Sequence, residues 1–278
     1  MKIAITAEST IDLPINLLNK YNIKTIPFSV ILGDNELKDG EITSQDIFQF
    51  VSENKVLPKT SAINQEQYKE FFTEQIKGYG ALIHFALSSQ ISSACSHAIE
   101  AAKEVENVFV VDTKSLSTGI ALLAINAREM ADSGKTASEI FENITERTTK
   151  VQASFVVKKL DYLHKGGRCS SVALLGANLL HIRPQIVLKD GKMMSNKKYL
   201  GKMEKVIASY CKDVLAQNPN TDKKYAFVTY TTATEGMVTA AKEALTTAGF
   251  ETIYETTAGA TITSHCGEDT LGILFLNN

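Results

Sequence analysis

Short apolar runs alternate with stretches of helical spacing through roughly the first 150 residues, and this alternation narrows the fold more than any other feature. The runs at 2–7, 23–32, 81–87 and 107–112 have the length and composition of buried strands. Segments 12–21, 44–52, 65–77, 96–105 and 119–133 read as helices between and after them. Asp12 is the expected N-cap of its helix, with Pro14 in the first turn, and Gly134 the expected stop of the helix over 119–133. Strand and helix in turn predict a doubly wound, mainly parallel sheet flanked by helices. In such a sheet ligands gather beyond the carboxyl ends of the strands. Three polar segments fall there: Glu8-Ser9-Thr10, the serine-rich stretch 88–93 and the loop 113–118. A fourth, Pro58-Lys59-Thr60-Ser61, reads as an irregular loop between two helices, within reach of the same edge. Polar loops lie on surfaces in any case, and what points to a site is that these four meet at one edge.

Beyond a connecting helix at 137–150 the pattern changes. A strand at 152–157 is followed by a glycine-bearing loop and an apolar helix at 172–180. Strands at 182–188 and 192–199 flank Asp190-Gly191, a strong hairpin signal. Strands at 225–230, 252–255 and 271–276 are joined by helices at 202–216 and 234–248 and by a loop that includes 261–267. The chain of 278 residues therefore divides into two α/β domains, 1–150 and 151–278, the second with an antiparallel component.

The stretch 87–95, Leu-Ser-Ser-Gln-Ile-Ser-Ser-Ala-Cys, sits on a strand-to-helix turn. Free backbone N–H groups, the positive end of a helix dipole and several hydroxyls suit a carboxylate or a phosphate. One serine, Ser92 or Ser93, also serves as an ordinary N-cap, and both readings stand. Lys165-Gly166-Gly167-Arg168 divides in the same way, between an anion contact and a helix C-terminus with favourable charges. Ser92 and the distant His265 would suit a serine hydrolase, but there is no G-x-S-x-G elbow and no evident third group. Gly134-Lys135-Thr136 is not a P-loop, because the glycine that motif requires would stand at Glu129. His84, His97, His164 and His181 read as structural.

Composition excludes other classes. A net charge of -2 leaves no electrostatic footprint for nucleic acid or an anionic membrane. No apolar run is long enough to span a bilayer, so stable membrane insertion is not expected. The chain enters a strand directly, which predicts no signal peptide. The four cysteines are scattered, with no paired spacing for zinc or redox chemistry, and read as reduced thiols of a cytoplasmic protein.

Several of these segments, in order, resemble the DegV family of bacterial lipid-binding proteins along essentially the whole chain. Glu8-Ser9-Thr10 stands where the family usually has Asp-Ser-Thr, and Pro58-Lys59-Thr60-Ser61 matches its Pro-x-Thr-Ser. The stretch 87–95 matches Leu-Ser-Ser-Gly-Leu-Ser-Gly-Thr-Tyr, with Ser93-Ala94-Cys95 in place of Gly-Thr-Tyr. Val111-Asp112-Thr113, the segment Leu163 to Arg168, Asp190-Gly191 and Thr263-Ser264-His265 also match, although the Gly-Pro-Gly that usually follows the histidine is lost. The resemblance implies a non-enzymatic protein with no cofactor, clasping a long-chain fatty acid between its two domains. Thr60 and Ser92 would hold the carboxylate, and His265, Arg168, Ser61 and Ser93 would surround the headgroup. It also implies a partner, a separate ATP-using fatty acid kinase subunit that converts the bound acid to acyl-phosphate for phospholipid synthesis. The alternatives are the hydrolase of acyl esters and a binder of another small anion.

Overall fold

The computed structural model describes residues 2–169 and 182–278. The helix expected over 172–180, with Ser170, Ser171 and His181, lies outside the described residues. The first seven strands are β1 (Ile3–Glu8), β2 (Ile23–Ile26), β3 (Ser29–Leu32), β4 (Asn35–Lys38), β5 (Lys59–Ser61), β6 (Ala81–Ala86) and β7 (Val108–Asp112). The helices among and after them are α1 (Ile15–Lys20), α2 (Ser44–Asn54), α3 (Gln65–Gln75), α4 (Ala94–Ala102), α5 (Thr118–Asp132) and α6 (Ala137–Arg147). A four-stranded sheet in the order β2-β1-β6-β7 is parallel throughout, with Ile5 beside both Ile23 and Ile83. Every residue of β1 and β6 is buried, as a sheet covered on both faces requires.

Three expectations change at this edge. The strand expected over 23–32 is two strands, broken at Pro27, and β3 pairs instead with β4 and β5 in a small antiparallel sheet. The loop around Thr60 is therefore strand β5, with Thr60 opposite Val30. Asp12 is not a helix N-cap: it adopts a left-handed conformation after a short 3-10 turn, and Pro14 occupies the cap position of α1. The Asp12 carboxylate turns inward, accepting from Ser117 Oγ at 2.5 Å and Gly259 N at 2.8 Å.

The second half contributes β8 (Val151–Val156), α7 (Asp161–Lys165), β9 (Ile182–Lys189), β10 (Lys192–Leu200), α8 (Met203–Gln217), β11 (Thr221–Tyr230), α9 (Glu235–Thr247), β12 (Thr252–Thr257), α10 (Ala260–Cys266) and β13 (Leu271–Asn277). Its six strands run in the order β10-β9-β8-β13-β11-β12; only β11 and β12 pair in parallel. Asp190 and Gly191 both have positive φ, 51° and 80°, as a two-residue hairpin turn demands. The segment expected as a loop around His265 is helix α10.

Helix α5 lies between the sheets, touching β1 and β6 on one side and β8, β11 and β13 on the other. Its residues from Thr118 to Ala127 are all buried. Gly119 leaves room for the turn before the helix and for β8, since a Cβ there would collide with the Ser115 side chain and come within 3.2 Å of Val151. One hydrophobic core runs from Ile5 and Ile83 through Ile120 to Phe155, Phe227 and Leu274 on the near face of the mixed sheet. Their immediate neighbours Val156, Val228 and Phe275 point the other way, into a second core beneath α8 and α9.

Candidate functional site

The end of β6 runs into the serine turn, which is pinned from behind. Glu8 accepts the Leu87 N–H at 2.7 Å, along with Tyr68 Oη at 2.6 Å and Thr10 Oγ1 at 3.2 Å. Asp112 accepts both the N–H and the hydroxyl of Ser89, at 3.2 and 2.6 Å. Ser88 Oγ donates across to the carbonyl of Gly191 in the β9–β10 hairpin at 2.8 Å. Burial raises Glu8 to about 7 despite its three donors. The anchors all act on residues 87–89, which leaves Ser92 and Ser93 at the open side. Ser92 Oγ accepts the Ala94 N–H at 3.1 Å, so it caps the start of α4 while its own proton stays uncommitted. Ser93 occupies the cap position with no side-chain cap bond.

Strand β5 and helix α10 form the facing wall. Thr60 Oγ1 lies 2.9 Å from His265 Nε2. Burial first, and the nearby Arg168 charge second, lower His265 to about 4, so its imidazole is neutral at physiological pH. Gly166 fits against that ring: a Cβ there would come within 2.6 Å of His265 Nδ1. Arg168 is exposed and donates to the Gly166 carbonyl at 2.6 Å.

Between the walls lies a cavity of about 430 Å³, within the range of small-molecule sites. Thr60, Ser61, Ser92, Ser93, Arg168 and His265 all line it. Apolar side chains complete the lining, among them Phe28, Leu87, Leu116, Met193 and Ile262. A second void of about 30 Å³ shares Leu116, Ile262 and Cys266 with it and continues under the mixed sheet, between Ala153, Phe155, Gly272 and Leu274.

Sequence reasoning assigned His97 to structure, but His97 lines the cavity. Its Nδ1 is held by the Ile63 carbonyl at 2.8 Å, which makes that nitrogen the donor. The available signal was spacing, because His97 stands four residues after Ser93 and shares its side of α4. Phe28 and Met193 carried no signal, being ordinary apolar residues brought in by β3 and the hairpin. The hydrolase arrangement is not built: His265 Nε2 engages Thr60 rather than Ser92, and His265 Nδ1 has no orienting partner among the described residues. Among the described residues no group of three or more His, Cys, Asp or Glu could hold a metal ion. No helix there is long and apolar enough to cross a membrane.

Comparison with known proteins adds independent findings. A family model described as an uncharacterised protein of the DegV family matches residues 2–278. A fatty acid-binding protein of Thermotoga maritima is 31% identical over 283 residues, covering 98% of this chain and 96% of that protein. The structure of a fatty-acid-binding DegV family protein from Thermus thermophilus superposes with a TM-score of 0.92 at 26% identity, covering 100% of both chains. DegV of Bacillus subtilis, a fatty acid binding protein, superposes with a TM-score of 0.87 at 25% identity, again covering 100% of both chains.

Proposed function

The chain belongs to the DegV family, and on that premise we propose that it binds a long-chain fatty acid, with the carboxylate held by Thr60 and Ser92. The observation that carries this reading is the composition of one cavity, which is lined by hydroxyls and a neutral imidazole together with apolar side chains. A carboxylate cannot be buried bare, and short hydrogen bonds from neutral donors answer that need without a second buried charge. Ser92 has a proton to give. In the tautomer with its proton on Nε2, His265 donates to Thr60 Oγ1 and frees the Thr60 proton for the ligand. Arg168, Ser61 and Ser93 stand around the same end, all three exposed, so the headgroup faces outward.

The tail takes the other direction, along Phe28, Leu116 and Met193 and past Ile262 toward the void under the mixed sheet. Each methylene buried there contributes about 0.8 kcal/mol. The domains 1–150 and 151–278 act as two jaws, one bringing Thr60 and Ser92 and the other His265, Arg168 and Met193. The protein carries its ligand without altering it, and an exposed carboxylate end suits presentation to a separate ATP-using kinase subunit that forms the acyl-phosphate. Mass spectrometry of an organic extract of the purified protein tests the reading. Long-chain fatty acid in stoichiometric amount is the expected result, and recovery of polar metabolites alone overturns it. Turnover of a chromogenic acyl ester, abolished by Ser92→Ala, would establish the hydrolase instead.

A further inference from the structure

We infer that Asp39, which lies outside the cavity, is the positioning residue of the headgroup site, because it is the common anchor of the two elements that bring Thr60 and His265 together. This rests on the fatty-acid reading for its ligand, but the geometry stands by itself. Asp39 follows β4 and is buried. Its Oδ1 accepts the Ala260 N–H at 2.9 Å and its Oδ2 the Thr261 N–H at 3.4 Å, the first amides of α10. Those amides have no partner within the helix, so the Asp39 carboxylate fixes the start of α10 together with Asp12, which holds the preceding Gly259 N–H. His265 sits near the other end of the same short helix.

The opposite side of Asp39 is tied to the start of β3, the neighbour of the Thr60 strand. Its backbone N–H donates to the Phe28 carbonyl at 2.9 Å. Its Oδ2 accepts from Ser9 Oγ at 2.9 Å, and Ser9 Oγ in turn accepts the Phe28 N–H at 3.1 Å. Phe28 immediately precedes β3, which pairs directly with Thr60. One side chain thus sets α10 and β3 in a common frame, and a shift in either would open the 2.9 Å contact between Thr60 and His265. This also gives the middle residue of Glu8-Ser9-Thr10 a role away from the ligand. An amide cannot substitute, because Asp39 takes three donors and an Asn Nδ2 would meet one of them with a hydrogen.

The test compares Asp39→Asn with the wild type, using a fatty acid and the alcohol of the same chain length. The acid should bind about tenfold more weakly to the variant, the equivalent of one charge-assisted contact, while the alcohol changes by less than about twofold. The ¹⁵N spectrum of His265, assigned with His265→Gln, should lose the signature of a single tautomer in the ligand-free variant. Equal loss of acid and alcohol, or unchanged acid affinity with an unchanged His265 spectrum, overturns the inference. If Asp39→Asn does not fold, Ser9→Ala, which cuts only the side-chain tie to Phe28, should show the same split more weakly, and no split overturns it. A wild type that binds neither ligand refutes the fatty-acid reading, and the His265 spectrum then decides the positioning role alone.

Discussion

The two faces of the mixed sheet are built from adjacent residues of the same strands and behave as different materials. The far face, with Val156, Val228, Ile273 and Phe275 against α8 and α9, is almost wholly apolar. The near face alternates Phe155, Phe227 and Leu274 with Thr229 and Thr256, whose hydroxyls bond to each other, and it carries the smaller void. Gly272 and Ala153 leave that space. The far face packs α8 and α9 against the sheet, while the near face holds the gap and the buried hydroxyls, where the proposed reading would put the acyl tail.

Leu274 and Phe275 break or sharpen this contrast directly. Phe275→Ala removes a fully buried ring that packs 5.3 Å from Phe250. It should cost about 4 kcal/mol in urea unfolding and leave the affinity of the folded protein unchanged. Leu274→Ala, beside the existing void, should cost about 2 kcal/mol, part of it recovered when a long-chain acid is added. Equal losses with equal ligand response would erase the distinction between the faces. Ser92→Ala should weaken carboxylate binding about tenfold through one lost hydrogen bond, with about 1 kcal/mol of stability lost with the cap. Isothermal titration and thermal melts would separate the two.

The smallest effect is the response to pH. Burial raises Glu8 to about 7 and Asp12 to about 8, so each contributes stability below its ordinary range that is lost as pH rises through those values. Burial lowers His84 to about 3 and His265 to about 4, so each costs stability as pH falls below 6.5. Between about pH 4.5 and 6.5 the two pairs oppose one another. Above 6.5 only the acids titrate, so the urea midpoint should be nearly level at first and fall between pH 6.5 and 8. Asp12→Asn should flatten most of that fall, and Glu8→Gln only its part near pH 7. On the far face burial pushes Cys211 up to about 12, so substitutions there should leave the profile alone.

The parallel sheet was legible in the sequence because β1 and β6 are covered on both faces and so read as unbroken apolar runs. The hairpin was legible because Asp190-Gly191 satisfies a backbone requirement that few other pairs meet. The remainder depends on tertiary partners. Strand β5 is three residues with none buried, and nothing local distinguishes it from a loop. Helix α10 contains Thr261, Ile262, Thr263 and Ser264, which are poor helix formers, and it is helical because carboxylates from elsewhere in the chain hold its first amides. Asp12 has the residue type of a cap and is one, but for the amide before α10 rather than for its own helix. The resemblance picked out Thr60, Ser92 and His265 by motif, while their proximity follows from packing that neighbouring residues do not encode.

The contact between Thr60 and His265 spans 205 positions, which has a consequence for the timing of biosynthesis. While the polypeptide is being translated, its early strands can pair and the serine turn can form, yet the imidazole that meets Thr60 is still to be added. A ribosome-bound chain lacking residues 260–266 would hold Thr60 and Ser92 without His265, half of the proposed headgroup site. On the proposed reading, loading with lipid would wait for translation to pass that point, and until then the unpaired flank would be open to non-native contacts.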